Sequence, residues 1–180
     1  ADSRTTAVEF EVVKDNTTVF ASSGQIPVNY QQATFTCTIA AGGKYKVRCR
    51  AWRGGVSSLQ WSDYSSEVAT QPTAPSGISS CKALSSTSVQ ITWPSVIDVT
   101  GYEVQYAEQA DYFDNSSNVQ SSTVTNPMAI ITGIDSGKTW WFRVRATNAT
   151  GNSAWTQPVS ITLGKVPSAP TTWSSTSTAI

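Results

Sequence analysis

The chain repeats itself at a spacing of about 94 residues, and internal repetition limits it to architectures in which one supersecondary unit recurs. Val8-Glu9-Phe10-Glu11-Val12 returns as Tyr102-Glu103-Val104-Gln105-Tyr106, and Tyr45-Lys46-Val47-Arg48-Cys49-Arg50-Ala51 returns as Trp140-Trp141-Phe142-Arg143-Val144-Arg145-Ala146. Trp61 returns as Trp155, and the linker Gln71-Pro72-Thr73-Ala74-Pro75 returns as Val166-Pro167-Ser168-Ala169-Pro170. Within 180 residues this spacing selects two small domains. The repeat runs out of phase with both ends, so a window from a longer array is expected.

Composition narrows the class. Charged residues make up 13% of the chain and net charge is zero, which removes the basic footprint needed to bind a phosphate backbone. Nucleic acid is therefore not an expected partner. Abundant Ser and Thr with 39% hydrophobic residues suit many short strands joined by polar turns, an all-β protein. No stretch reaches the roughly 18 apolar residues of a membrane-spanning helix, so no membrane insertion is expected in this window.

The chain has no His, which removes His-dependent triads and His metal sites. It also lacks a nucleophile elbow, a phosphate loop and a dinucleotide fingerprint. A non-enzymatic chain without cofactor or metal is expected. The acidic cluster Glu108, Asp111 and Asp114, with Asn115 and Asn118, reads as a solvated loop, because its spacing departs from that of a calcium-binding EF-hand. Cys37, Cys49 and Cys81 lack the close pairing of zinc or redox motifs. A Cys37–Cys49 disulfide and three small core thiols both remain open. Reduced thiols would fit assembly inside a cell.

Residues 75–163 read as strands broken by turns. Val89, Ile91 and Trp93 alternate with Ser88, Gln90 and Thr92, and Tyr102–Tyr106 continues the pattern after a turn at 98–101. Strands are expected over 128–134 and 159–163. Between them Trp140, Phe142, Val144 and Ala146 point inward while Trp141, Arg143 and Arg145 point outward. Pro75, Trp93, Gly101-Tyr102, Ile134-Asp135-Ser136-Gly137, Trp140 and Arg143-Val144-Arg145-Ala146 together resemble the fibronectin type III family.

That resemblance implies tandem seven-stranded antiparallel β-sandwiches of immunoglobulin-like form, with Trp93, Phe142 and Val144 in the core. It implies an incomplete repeat over 1–71, holding the third to seventh strands with the first two upstream. It also implies a complete repeat over 72–166 and the start of a third over 167–180. The family's corner tyrosine, whose hydroxyl closes the turn into the sixth strand, falls on Tyr45 in the first repeat and on Trp140 in the second.

Outward Arg48 and Arg50, and likewise Arg143 and Arg145, lie where their guanidinium groups can stack on Trp61 and Trp155, as a structural brace or as a ligand platform. Trp61-Ser62-Asp63-Tyr64-Ser65 resembles the Trp-Ser-x-Trp-Ser signature of cytokine receptors, with Tyr64 for the second Trp and without that family's evident paired cysteines. Trp52, Trp141 and Trp173 resist burial by alternation, which leaves packing against a neighbouring subunit or contact with a sugar ring. Sequons at Asn16, Asn115 and Asn148 are of the number that chance supplies at this Ser and Thr content.

Sandwiches joined by short proline-containing linkers form semi-rigid spacers. The segment Pro167–Ile180 resembles fibronectin-repeat tail proteins of phages and prophages of Gram-positive bacteria. It implies a structural module of a tail tip, fibre or baseplate, located on the virion. Its implied partners are the other subunits of a homo-oligomeric assembly and a host-surface glycan or protein. A spacer in a bacterial surface protein or secreted polysaccharide-degrading enzyme, and the ectodomain of a eukaryotic adhesion or cytokine receptor, are the alternatives.

Overall fold

A computed structural model describes residues 5–28, 32–53, 56–57, 61–115 and 118–166. The expected third repeat at 167–180, with Trp173, lies outside the described residues. The described residues form two compact units, one drawn from positions 5–74, 96–101 and 145–154, the other from 75–95, 102–144 and 155–166.

The leading part of the chain forms β1 (Ala7–Lys14), β2 (Thr18–Pro27), β3 (Lys44–Arg53), β4 (Val56–Ser57) and β5 (Val68–Ala69). They make one antiparallel sheet in the order β2-β1-β3-β4, with β5 also on β3. Asp15 and Asn16 take φ of 50° and 63°, the paired left-handed residues that let a tight hairpin follow the strand twist. Alternation sets Val8, Phe10 and Val12 opposite Ala51, Cys49 and Val47. The same register sets Glu9 and Glu11 opposite Arg50 and Arg48 on the other face.

The apolar face of this sheet is incompletely covered. Phe35 stacks on Phe10 at 6.3 Å and Phe20 meets Tyr45 edge-on at 5.2 Å. Yet Val47 and Phe20 each remain 38% exposed. Cys37 belongs to a segment, 33–40, outside the strands, and Cys37, Cys49 and Cys81 are all half-buried free thiols.

Further along come β6 (Ser80–Ser85), β7 (Ser88–Thr92), β8 (Gly101–Ala107), the one-turn α1 (Tyr112–Asn115), β9 (Gln120–Val124), β10 (Met128–Thr132), β11 (Thr139–Asn148), β12 (Gly151–Asn152) and β13 (Val159–Thr162). One sheet runs β10-β7-β6; the other runs β12-β11-β8-β9, with β13 also on β11. The strand expected over 128–134 stops at Thr132, because Gly133 turns the chain with φ of 74°, and Ile134 is buried beyond it. The last strand is in two pieces, β12 and β13, for a reason that lies in the side chains between them.

Both sheets contribute to a closed core. Val89, Ile91, Ala129 and Ile131 come from one, and Val104, Phe142, Val144 and Ala146 from the other, all buried. Trp93 packs edge-on against Tyr102 at 5.3 Å. Edge-to-face aromatic pairs add about 0.5–1.5 kcal/mol beyond area burial.

Candidate functional site

A turn, a corner and a ladder recur in the two halves of the chain. At each corner a glycine with φ of 73° donates its N–H to the segment after the last strand: Gly42 to Gln71 O at 2.8 Å, Gly137 to Gly164 O at 3.2 Å. Three residues later an aromatic side chain closes the corner. The Tyr45 hydroxyl donates to Ala40 O at 3.2 Å and the Trp140 indole Nε1–H donates to Asp135 O at 3.1 Å. Indole thus supplies the donor that phenol supplies in the first repeat, to the carbonyl at the same sequence separation.

The ladder rests on hydroxyls. Ser62 and Ser65 each pair with β3 twice: their N–H groups donate to Cys49 O and Val47 O at 2.7 and 2.8 Å, and their Oγ atoms accept Cys49 and Val47 N–H, each at 3.0 Å. A hydroxyl does the work of a backbone carbonyl, so three residues of this segment span two of β3. An extended backbone with a three-residue repeat brings every third side chain onto one face, whereas a strand brings every second. Trp61, Tyr64 and Glu67 therefore face Arg50, Arg48 and Lys46 in turn.

The distances place Trp61 against both arginines and Tyr64 against Arg48. The Arg50 guanidinium lies 4.5 Å from the Trp61 ring and 5.7 Å from Trp52, and that of Arg48 lies 5.0 Å from Tyr64 and 4.9 Å from Trp61. Lys46 pairs with Glu67 at 3.8 Å. From the β1 side, Glu9 accepts Arg50 Nε at 2.7 Å and Glu11 accepts Arg48 Nε at 2.5 Å and also its Nη2. Each arginine is layered between a carboxylate and an aromatic ring. Arg50 beside it holds the Glu9 carboxyl below its ordinary range, against the opposing effect of burial and with smaller help from Trp52 and Ser22.

The second repeat builds the same ladder from different residues. Ser153 and Thr156 donate N–H to Ala146 O and Val144 O, both at 2.9 Å, and accept Ala146 and Val144 N–H through their hydroxyls at 2.9 and 3.1 Å. This hydroxyl pairing is what divides β12 from β13. The Arg143 guanidinium lies 4.5 Å from the rings of both Trp155 and Phe113 and donates to Gln105 Oε1 at 3.0 and 2.7 Å and to Phe113 O at 3.1 Å. Arg145 is half-buried on the same strand.

Hydroxyl pairing also keeps the phase of the repeat. With Tyr45 set on Trp140, Cys49 falls on Val144, so Ser62, which pairs with Cys49, corresponds to Thr156, which pairs with Val144, and Trp61 is the counterpart of Trp155. The second rung of each ladder differs: Ser65 on Val47 in the first, Ser153 on Ala146 in the second. Strand alternation passes over these hydroxyls, together with Glu9, Glu11, Gln105 and Phe113.

Elsewhere, Trp52 and Trp141 are half-buried and Trp52 neighbours Arg50. Glu108 holds Lys138 at 2.5 Å, Asp135 holds it at 3.1 Å, and both raise the lysine pKa. Among the described residues no three acidic or cysteine side chains gather as a metal site.

The family profile described as fibronectin type III domain matches residues 73–162. No curated protein matches the sequence. Among solved structures, the chain resembles a two-domain fibronectin type III segment of chicken tenascin, at 18% identity and TM-score 0.50, over 92% of this chain and 87% of that one. It also matches the chicken CNTN1 FN1-FN3 domains, at 16% identity and TM-score 0.47, over 89% of this chain. The chain spans 56% of the length of that segment.

Proposed function

The chain belongs to the fibronectin type III family, and on that footing we propose that it is a non-enzymatic spacer in a phage tail tip, fibre or baseplate protein, positioning a host-binding region. The observation that carries the spacer role is how the linker leaves the leading sheet. Gln71 O accepts Gly42 N–H at 2.8 Å, Thr70 N–H donates to Gly43 O at 3.1 Å, and Pro72 is fully buried. A linker tied to its own domain and stiffened by proline transmits position, where a Gly/Ser tether would lose it. The virion setting rests on the resemblance of Pro167–Ile180 to phage tail repeats.

In this reading the partners are other tail subunits in a homo-oligomer, and half-buried Trp52 and Trp141 are the side chains that meet them. Residues 72–166 act as one complete sandwich. The open face of the leading sheet is covered by a second sheet like β6–β7–β10.

Immunogold electron microscopy with antibodies raised against this chain is the test. Label at the distal end of tail particles in the source culture is expected. Label confined to a bacterial envelope, with no particle decorated, would overturn the tail reading and leave the spacer role standing.

A further inference from the structure

A cleft of about 420 Å³ opens beside α1, walled by Glu108, Tyr112, Asn118, Val119, Gln120 and Trp140. Its size falls within the range of about 300–1,000 Å³ typical of small-ligand sites. The ladder and the corner do not use this cleft, apart from Trp140, whose Nε1–H is committed to Asp135 O. The indole is 4% exposed, so it closes the floor of the cleft and leaves the open ring face to Tyr112.

What the walls can recognise follows from their chemistry. Glu108 is the one carboxylate among them, and Lys138 already neutralises it at 2.5 Å, so the wall presents acceptor oxygens without net charge. Asn118 and Gln120 are exposed amides, each with a donor pair and an acceptor in one plane. Tyr112 is half-buried and adds an aromatic ring with a hydroxyl. Planar amides and a fixed carboxylate suit adjacent hydroxyl groups, and the ring of Tyr112 suits an apolar C–H face. An ion would have to compete with the Glu108–Lys138 pair.

We propose that the cleft formed by Glu108, Tyr112, Asn118, Gln120 and Trp140 binds a neutral polyhydroxylated ligand, a pyranose unit of a saccharide. The site is separate from the outward tryptophans and does not depend on the setting in which the spacer works. A shallow one-sugar site binds at roughly millimolar strength.

The test is saturation-transfer NMR on the full chain with glucose, galactose and N-acetylglucosamine as probes. At least one sugar is expected to receive saturation and to shift the Gln120 side-chain amide. Tyr112→Ala and Gln120→Ala should each weaken that binding about tenfold, while Tyr112→Phe, which keeps the ring and the helix, should lose less. Unchanged amide exchange along β11 shows that the variants keep their fold. The proposal fails if none of the three sugars receives saturation, or if transfer survives both alanine substitutions. It fails equally if Trp141→Ala abolishes transfer while Gln120→Ala does not, or if tetramethylammonium binds the cleft and the sugars do not.

Discussion

Val47 and Val144 each stand in a hydroxyl ladder, two residues apart in the repeat, yet one is 38% exposed and the other fully buried. Each sits mid-strand, gives its N–H to a hydroxyl and takes an N–H on its carbonyl. The difference lies in what faces them. Val144 looks into the β6–β7–β10 sheet, whereas Val47 looks onto a face that Phe10, Phe20 and Phe35 only partly shield. Local backbone pairing is thus made at both valines, and full burial at one. The comparison teaches that hydroxyl ladders and corners define a β3-like strand by themselves, while the stability of that strand depends on the opposing sheet.

The largest expected effect breaks the symmetry of these two valines. Val144→Ala removes fully buried methyl groups and should cost about 2–3 kcal/mol, whereas Val47→Ala should cost less than about 1 kcal/mol because water already reaches the site. Native-state hydrogen exchange at β11 and β3 amides reads each half separately, which a single melting curve of a two-unit chain does not. Equal losses in the two strands would show that the face over Val47 is covered in solution.

A smaller effect separates the two hydroxyl ladders. Thr156→Val keeps the shape of the side chain but leaves the buried Val144 N–H without an acceptor, at a cost of about 1–3 kcal/mol. Ser65→Ala exposes the Val47 N–H to water, which replaces the lost bond, so a few tenths of a kcal/mol is expected. Chemical denaturation of each variant checks the ratio. If Ser65→Ala is as damaging as Thr156→Val, the leading ladder is as dry as the trailing one.

How much of this could be seen in the sequence depends on the scale of the signal. The alternation through Val89, Ile91 and Trp93 follows from the period that side chains impose within a strand, the all-β class from composition, and the equivalence of Tyr45 with Trp140 from the internal repeat. The arginine–aromatic contacts were open to view for the same reason, since Arg48 and Arg50 must share a face. What escaped is the junction between two periods. Placing Tyr64 over Arg48 requires knowing that residues 61–67 step in threes along a strand that steps in twos, and this follows from hydroxyl-to-backbone bonds that no alternation reveals. The cleft beside α1 was equally hidden, because it joins a loop, a one-turn helix and a corner residue with no shared spacing.

Charge contributes to the leading ladder, and salt measures how much. Glu9–Arg50 and Glu11–Arg48 are ion pairs. About 1 M NaCl shortens the screening length to roughly 3 Å and should remove up to about 1 kcal/mol from protection of the Val47 and Cys49 amides. Glu9→Gln should reduce that loss. An unchanged loss in the variant would trace the salt effect to something other than the ladder.

Acid gives the smallest effect and the most specific. Arg50 depresses the Glu9 carboxyl in the folded chain below its ordinary value of 4.5, so the folded state binds that proton less readily than the unfolded one. The stabilisation is therefore fully present above about pH 4.5 and is lost as pH falls through the lower folded value. Its size is a few tenths of a kcal/mol, as expected for a single ion pair whose arginine side chain remains 27% exposed. Other carboxylates titrate in the same range, so the measurement is a difference: thermal melts of the native chain and of Glu9→Gln between pH 7 and pH 3. Glutamine imitates the protonated acid. The native chain should be the more stable at pH 7, and the gap should close as Glu9 takes up its proton. Gln105 carries no such proton, so Gln105→Ala should produce a gap that stays constant over the same interval. A Glu9→Gln gap that persisted unchanged to pH 3 would mean that the carboxylate charge contributes nothing to the leading ladder, and that Arg50 is held by Trp61 and Trp52 alone.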